Sequence, residues 1–302
     1  MMMDSLRPGT LLLAILLTSC GRPAPWNTRV DPALAKLIPP DTNLLGVVDL
    51  ARLRGTAVYQ QHLAPMVARE LDELTRRTGV DPNRDVDQVL LASDGRNFVT
   101  LVRGRFNPGD AASRMQAGGA TRTSYAGVDV FGQGGNAIAF PDPATAVAGG
   151  GAEVRSVLEQ RRNGAGGIPA PLQPVVNDIP SKDQIWAALA GGVPAFPAEG
   201  NLRNLAELAR SVDRASAGLD LQSGLDLQAR ADCRSDEDAR RVHDALRGFI
   251  ALARMSAPAN RPELIRVFDA INVVRENARV RVTASLDQKE LDSFLSLWLK
   301  PR

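Results

Sequence analysis

The residues from Ala278 to Ser285 alternate strictly between apolar and polar side chains. The apolar members are Ala278, Val280, Val282 and Ala284, and the polar members between them are Arg279, Arg281, Thr283 and Ser285. Because successive side chains of a β-strand point to opposite faces of its sheet, such a segment turns one face to a core and the other to water or a ligand. The pattern therefore predicts antiparallel sheets with helices packed on one face, which is the α+β class.

The order of predicted elements recurs along the chain. Each half reads strand, helix, two strands, helix, further strands, helix, and an Ile-Pro pair precedes the first strand of both, at Ile38-Pro39 and at Ile179-Pro180. Residues 163–180, which separate the halves, are rich in glycine and proline and show no periodicity, as is typical of a linker. We therefore predict an internal duplication, with one α+β half at residues 32–162 and a similar one at residues 181–302.

Composition narrows the classes of partner. Hydrophobic residues make up 44% of the chain, which is enough for a packed core. The net charge is +2 and aromatic residues make up 4%. The chain therefore lacks both the excess of positive charge and the stacking side chains that are typical of nucleic-acid-binding proteins. We expect no nucleic-acid partner.

The amino-terminal region carries an apolar run that is too short to cross a membrane. Leu11–Leu17 has seven residues, whereas a membrane-spanning helix needs about 20, and this length fits the apolar region of a signal peptide. The run ends in Leu17-Thr18-Ser19-Cys20, which resembles the signal of bacterial lipoproteins. The resemblance implies that residues 1–19 are removed and that Cys20 carries fatty acids, such as palmitate, that anchor the protein in a membrane.

The residues that follow Cys20 bear on the location of the protein. Gly21 stands where an aspartate would, by analogy with enteric lipoproteins, favour retention in the inner membrane. We therefore expect an anchor in the outer membrane, facing the periplasm. Residues 20–31 include Pro23 and Pro25, and this composition predicts a partly stiff tether between the lipid and the globular part.

Few side chains are available for acid–base or nucleophilic chemistry. The chain has two histidines, His62 and His243, and Cys233 is its only cysteine besides Cys20. The sequence contains no His-Glu-x-x-His zinc motif and no Gly-x-Ser-x-Gly elbow for a catalytic serine. We interpret both histidines as half-buried helical residues and Cys233 as a small packed side chain. We assign no catalytic residue and no cofactor, which favours a protein that is not an enzyme.

Residues 81–87 place oxygen-bearing side chains at alternate positions, as the ligands of a calcium loop are placed. These side chains are Asp81, Asn83, Asp85 and Asp87. The segment departs from a calcium loop at Val86, where a glycine is needed, and at Ala92, which replaces the bidentate glutamate. The alternative is an Asp-Pro turn and a one-turn helix that Asn83 or Asp85 caps, and we prefer it to the calcium site.

The segment Leu219–Leu227 predicts the register of a hairpin. Directly opposed residues share a face of the sheet, and a two-residue loop would place Leu221 opposite Asp226. A three-residue loop that ends at Gly224 keeps the leucines together and supplies a glycine where the turn needs a positive φ. We predict this second register, although it places Asp220 opposite Asp226 at a small electrostatic cost.

Three functions are compatible with these observations. The leading hypothesis is a non-enzymatic, lipid-anchored envelope protein that binds another envelope protein with a sheet face or with the cleft between its halves. The first alternative is a periplasmic carrier that holds an apolar ligand between helices and sheet, for which we expect a dry cavity of roughly several hundred Å³. The second alternative is a hydrolase, which needs a histidine beside a carboxylate and a nucleophile.

Overall fold

A computed structural model describes residues 29–192, 208–258 and 260–298 of the chain. The signal segment, Cys20 and most of the tether lie outside the described residues. The sequence also predicts a helix near residues 201–210, and most of that segment lies outside them too.

The described residues contain twelve β-strands. They are β1 (Leu44–Asp49), β2 (Val86–Ser93), β3 (Phe98–Gly104), β4 (Thr121–Tyr125), β5 (Val128–Gln133), β6 (Asn136–Asp142), β7 (Thr145–Gly150), β8 (Ile185–Ala190), β9 (Val212–Asp220), β10 (Gly224–Cys233), β11 (Ile271–Glu276) and β12 (Arg279–Asp287). They form one sheet in the order β11-β12-β10-β9-β8-β1-β2-β3-β7-β6-β5-β4, and every neighbouring pair is antiparallel.

The described residues also contain ten α-helices and one π-helix at Tyr59–Leu63. The α-helices are α1 (Pro32–Ala35), α2 (Leu50–Leu53), α3 (Ala64–Thr78), α4 (Pro82–Asp85), α5 (Pro108–Ala117), α6 (Gly151–Asn163), α7 (Gln173–Asn177), α8 (Asp236–Met255), α9 (Pro262–Asp269) and α10 (Gln288–Trp298). Ser235 caps α8 by accepting a hydrogen bond from the amide of Asp238, and three acidic residues in its first turn favour the same helix end.

The two halves share one strand order. Counted outward from the centre, the first half runs β1, β2, β3, β7, β6 and the second runs β8, β9, β10, β12, β11, while the first half adds the hairpin β5-β4 at its edge. The predicted α+β class, the antiparallel strands and the two similar halves are therefore present. The halves join by the pairing of β1 with β8, in which Val48 lies opposite Ile185, so their strands form a single sheet.

Helices lie on both faces of this sheet. On the face that carries Leu45, Leu101 and Trp186, which we call the α6 face, apolar side chains of α1, α6 and α7 form the largest core cluster. The opposite face, which we call the α8 face, packs against α5, α8, α10 and the π-helix. Helices on one face only were expected from the alternation in β12. The central strands differ because runs such as Leu44–Val48 are apolar on both sides and need cover on both.

Strand β12 itself follows the predicted alternation. Val280 is 1% exposed on the α8 face, whereas Arg281, which follows it on the α6 face, is exposed. This outer part of the α6 face presents charged side chains, among them Arg230 of β10 and Arg279 of β12, which both bind Asp232.

Apolar side chains fill the junction between the halves on the α8 face. Leu53 and Tyr59 of the first half pack in one cluster with Leu221, Leu286 and Leu291 of the second. All five are less than 9% exposed. The junction here is therefore a packed core, and the cleft that we expected as one binding surface is occupied at this point.

The predicted linker is partly helical. Residues 163–180 contain α7, and its Val175 and Val176 are buried against the α6 face together with Leu172. A five-residue helix is too short to display a 3.6-residue period, and it lies among the glycines and prolines from which we predicted an irregular segment.

The hairpin β9-β10 has the predicted register. Leu219 lies opposite Leu227 and Asp220 lies opposite Asp226, and Gly224 has a φ of +130°. The ammonium of Lys182 lies 3.0 Å from a carboxylate oxygen of Asp220 and 3.2 Å from one of Asp226. A cation from outside the hairpin thus offsets the repulsion between the paired aspartates.

Candidate functional site

An apolar pocket lies on the α8 face of the second half. Its volume is about 340 Å³, and its walls come from β8, β9, β10 and β12, from Leu246 of α8 and from Leu44 of β1. Small side chains form its floor, namely Ala187, Ala215, Ala217, Ala229 and Ala231. We call this site the alanine pocket.

The pocket exists because alanines stand two positions apart in β9 and again in β10, and Ala187 of β8 lies beside them on the same face. Pairing places Ala217 opposite both Ala187 and Ala229, and Ala215 opposite Ala231. Helices and sheets pack at a spacing that larger side chains fill, so a patch of alanines leaves room beneath a helix. Ala187 is exposed and the other four alanines are partly exposed, which makes the floor accessible to a ligand.

The surface of the pocket is almost entirely apolar. Arg230 is the only charged residue among the described residues that line it. The guanidinium of Arg230 pairs with Asp178 and, at 2.9 Å, with Asp232, both on the opposite side of the sheet. The pocket can therefore take hydrocarbon, and its walls provide little hydrogen bonding to orient a polar ligand.

The volume is sufficient for a small ligand. Small-molecule sites commonly measure about 300–1,000 Å³, and an engineered apolar cavity of about 150 Å³ already holds benzene. The alanine pocket, at about 340 Å³, lies at the lower end of the first range. It also has the several hundred Å³ that we expected of an apolar-ligand carrier, although its exposed floor makes it an accessible pocket rather than a sealed cavity.

The four candidate calcium ligands are engaged with other partners. Asp81 caps α4 by accepting a hydrogen bond from the Asn83 amide at 2.9 Å, and the side-chain oxygen of Asn83 accepts the Tyr59 hydroxyl. Asp85 accepts the Asp81 amide at 2.9 Å and pairs with Arg84, while Asp87 faces Arg54 and Arg105. The one-turn helix is present as predicted, but Asp81 caps it rather than Asn83 or Asp85, because Pro82 occupies its first turn.

The ion pair with Arg84 also affects the ionisation of Asp85. A hydrogen bond from Arg84 holds the pKa of Asp85 below its usual value, against the opposing effect of partial burial. Among the described residues, no group of three or more histidine, cysteine or acidic side chains has the geometry to hold a metal ion.

The two histidines contact different carboxylates in different parts of the fold. His62, in the π-helix, lies with its Nε2 2.9 Å from a carboxylate oxygen of Asp292 in α10, so it joins the two halves. His243 lies on α8 with its Nδ1 2.8 Å from the neighbouring Asp244. Both are partly buried helical side chains, as predicted. For the hydrolase alternative, His62 has the required carboxylate neighbour, but the Asp292 carboxylate also accepts Gln288, and this contact supplies no nucleophile.

Cys233 is a free and buried thiol at the end of β10. It packs with Val212, Ala239, Val242 and Val280 and is 8% exposed, as expected of a small packed side chain. Burial raises the pKa of the thiol, and Asp238, Asp232 and Asp213 raise it further. A neutral buried thiol is a poor nucleophile.

We expect Cys233 to react slowly in the folded protein. Maleimide labelling of a fragment that begins after Cys20 should be at least about tenfold slower under native conditions than in denaturant, because each pKa unit reduces the thiolate tenfold and burial adds to this. Labelling at the same rate in both conditions would show that the thiol is accessible and would contradict its assignment to the core.

Sequence reasoning missed the alanine pocket. The signal that it overlooked is the recurrence of Ala215-x-Ala217 and Ala229-x-Ala231 in two strands joined by one hairpin. An alternating pattern counts alanine and valine alike as apolar, so it carries no information on the depth of the face. Cys20, the one residue to which we assigned a modification, lies outside the described residues. No helix within the described part of the chain is long and apolar enough to span a bilayer.

Comparison with known proteins establishes the fold only. Neither a scan against protein-family models nor a search of curated proteins found a match. Among solved structures, crystal forms III, I and IV of TP0453 match with TM-scores of 0.51, 0.50 and 0.50 and with sequence identities of 12%, 12% and 11%. The matches cover 89%, 90% and 90% of this chain and 99%, 99% and 97% of the TP0453 chains. The chain therefore has the fold seen in TP0453, and at this identity the likeness extends to the fold alone.

Proposed function

We propose that this chain is a non-enzymatic, lipid-anchored protein of the cell envelope that holds an apolar ligand in the alanine pocket. The observation that carries the proposal is the pocket itself, with its volume of about 340 Å³ and its almost entirely apolar walls. Transfer of apolar surface from water into such a site is favourable by roughly 25 cal/mol per Å². A hydrocarbon such as an acyl chain is the ligand class that these walls favour.

The location is part of the proposal and comes from the sequence. The segment Leu17-Thr18-Ser19-Cys20 supports lipidation of Cys20, and Gly21 supports an outer-membrane anchor that faces the periplasm. An anchored carrier would meet apolar ligands where they leave or enter a membrane. The tether at residues 20–31 would give the body some reach from the lipid surface.

A second candidate function is docking of another envelope protein on the outer α6 face of the second half. The supporting observation is that this face presents charged and polar side chains such as Arg281, Thr283 and Ser285, of which Arg281 and Ser285 are exposed. Arginines and aspartates there form pairs, for example Arg279 with Asp232 at 2.7 Å. Such a surface favours a polar protein partner. Because the alanine pocket lies on the other face, substitutions can test the two candidate functions separately.

Filling the pocket should remove ligand binding. Ala229→Leu adds three carbon atoms to the pocket floor, so we expect its affinity for an apolar fluorophore such as N-phenyl-1-naphthylamine to fall by about tenfold or more, a loss of about 1.4 kcal/mol. Mass spectrometry of lipids that copurify with the wild-type protein from its native envelope should identify the natural ligand, and the same lipids should be depleted from Ala229→Leu.

Gln228→Leu is the matched control. Gln228 is the neighbouring residue of β10 and is exposed on the opposite face, so this change adds a leucine without touching the pocket. Its affinity for the fluorophore should equal that of the wild type. Equal binding by Ala229→Leu and the wild type, with both folded by circular dichroism, would refute the pocket as the ligand site and leave the docking function as the better candidate.

A further inference from the structure

Asp183 places a carboxyl group inside the junction of the two halves. The residue is 3% exposed, and its Oδ2 atom is buried without a hydrogen-bond partner. A buried carboxylate is unfavourable unless it is paired and hydrogen-bonded. Asp31, the other buried aspartate with an unbonded oxygen in the described part of the chain, has Arg103 3.3 Å away and caps α1 with its second oxygen.

The neighbouring strand is shaped to receive this carboxyl group. A Cβ atom built on Gly218 of β9 would lie 1.9 Å from Oδ2 of Asp183. The carboxyl group therefore rests directly on the backbone of β9, in space that only a glycine leaves free. Replacing Gly218 would displace Asp183, so the position of the acid is fixed by the fold rather than by a hydrogen bond.

The two cations that face Asp183 are committed to other groups. Lys182, next in the chain, binds Asp220 and Asp226 with its ammonium at 3.0 and 3.2 Å. Arg52 of α2 donates to the carbonyl oxygens of Ser181 and Asp183 at 2.8 and 2.9 Å and binds Asp49 at 2.7 Å. Neither makes a hydrogen bond to the Asp183 carboxyl group.

The position of Asp183 couples it to the pairing of the halves. The next residue, Gln184, accepts the amide of Asp49 at 2.7 Å and donates to the carbonyl of Leu219 at 2.9 Å, so it continues β8 between β1 and β9. Its buried side chain binds Asp220 at 3.0 Å and the amide of Leu221 at 2.7 Å. A change of charge at Asp183 therefore acts on the strand that joins one half to the other.

We propose that Asp183 is the proton-binding group of a pH-sensitive junction, which is more stable when this carboxyl group is neutral than when it is ionised. As the pH falls, Asp183 takes up a proton and the junction between β1, β8 and β9 tightens. As the pH rises, the carboxyl group ionises in a site where Oδ2 receives no hydrogen bond and both nearby cations bind other groups, and the junction weakens. The proposal is independent of the ligand of the alanine pocket.

The direction of the pKa shift agrees with this geometry. Burial raises the pKa of Asp183 above its usual value, and the negative charges of Asp220 and Asp226 add to the rise. Lys182 and Arg52 oppose it without cancelling it. The pKa of Asp183 is thus higher in the folded than in the unfolded protein, so between these two pKa values the folded protein binds more protons. The stabilisation from neutral Asp183 is therefore complete below the unfolded-state pKa of about 3.9. It is lost as the pH rises through the folded-state pKa.

The test compares the wild type with Asp183→Asn, which has nearly the same shape and cannot ionise. Urea unfolding of the protein is measured from pH 4 to pH 8. We expect the unfolding equilibrium constant of the wild type, relative to that of Asp183→Asn, to grow as the pH rises. The growth should amount to tenfold for each pH unit by which burial raises the pKa. A ratio that stays constant across this range would overturn the proposal, whatever the absolute stability of the variant.

Asp220→Asn is the matched control of opposite sign. Burial favours the neutral form of Asp220, but hydrogen bonds from Gln184 and Lys182 dominate and hold its pKa below the usual value. Ionised Asp220 therefore stabilises the fold at neutral pH, and this stabilisation is lost in acid. The free energy of unfolding of Asp220→Asn should fall furthest below that of the wild type near pH 7. Carboxyl carbon NMR, assigned with Asp183→Asn, gives a second readout, and a titration of Asp183 at or below its ordinary value would also overturn the proposal.

Discussion

A Gly224→Ala variant should be less stable than the wild type by roughly 2–6 kcal/mol, from about 1–3 kcal/mol of backbone strain and a similar cost of overpacking. Gly224 has a φ of +130°, which a residue with a Cβ rarely adopts. A Cβ atom there would lie 2.2 Å from the carbonyl oxygen of Leu286 on the adjacent strand β12. Backbone atoms cannot turn away as a flexible side chain can, so the pairing of β10 with β12 must shift. Urea denaturation measures the loss.

Ser223→Ala is the control for this change. Ser223 precedes Gly224 in the same loop and is exposed, so its replacement should alter the free energy of unfolding by less than about 0.5 kcal/mol. If Gly224→Ala were as stable as Ser223→Ala, the positive φ and the close approach to β12 would both be wrong.

A Cys20→Ala variant should move from the membrane fraction to the soluble periplasmic fraction. The expectation rests on the resemblance of Leu17-Thr18-Ser19-Cys20 to a lipoprotein signal, which supplies the only acylation site that we assign. One acyl chain holds a protein to a bilayer only weakly, whereas two or more hold it stably, so loss of the modified cysteine should abolish retention. Fractionation with immunoblotting measures the shift, and mass spectrometry should find the wild-type mature chain beginning at an acylated Cys20.

Cys233→Ala is the matched cysteine control and should remain with the membrane, because Cys233 is packed in the core. An intact Met1 in the wild type, or a Cys20→Ala variant that remains in the membrane fraction, would contradict the anchor.

The sequence predicts the pairing of strands that are neighbours in the chain, but it does not show contacts between residues that are distant in the chain. The register of β9-β10 follows from leucines that must share a face, so it was predicted correctly. The stated cost of that register, Asp220 opposite Asp226, is offset by Lys182, which lies before β8 and outside the hairpin. No local pattern shows that an ammonium from another strand connection will lie between two carboxylates.

Periodicity also cannot say which face of a sheet a helix covers. α6 and α10 each close one half and carry similar apolar stripes, but Val154, Val157 and Leu158 of α6 pack on the α6 face whereas Leu291 of α10 packs on the α8 face. The choice depends on which strand faces remain uncovered once the sheet has formed. Duplication of the element order therefore does not imply duplication of the packing.

The alanine pocket depends on the size of the inward-facing side chains rather than on their polarity. An alternating strand with alanine at the inward positions has the same pattern as one with valine, so the pattern predicts the face and leaves its depth open. Only the pairing of Ala217 with Ala187 and Ala229 shows that the small side chains of three strands fall together. Asp183 was missed for a similar reason, since its burial depends on Gly218 in another strand.

The pairing of β1 with β8 makes each half dependent on the other. Separated at residues 163–180, each half would present the unpaired apolar edge of β1 or β8 to solvent, and such edges recruit other strands. The element order divides the chain into two similar units. Because β1 of one pairs with β8 of the other, neither unit is a separate domain that could be transferred alone into another protein. A single unit expressed alone would therefore need a second copy of itself, or another chain, to pair with the strand edge that β1 and β8 cover for each other.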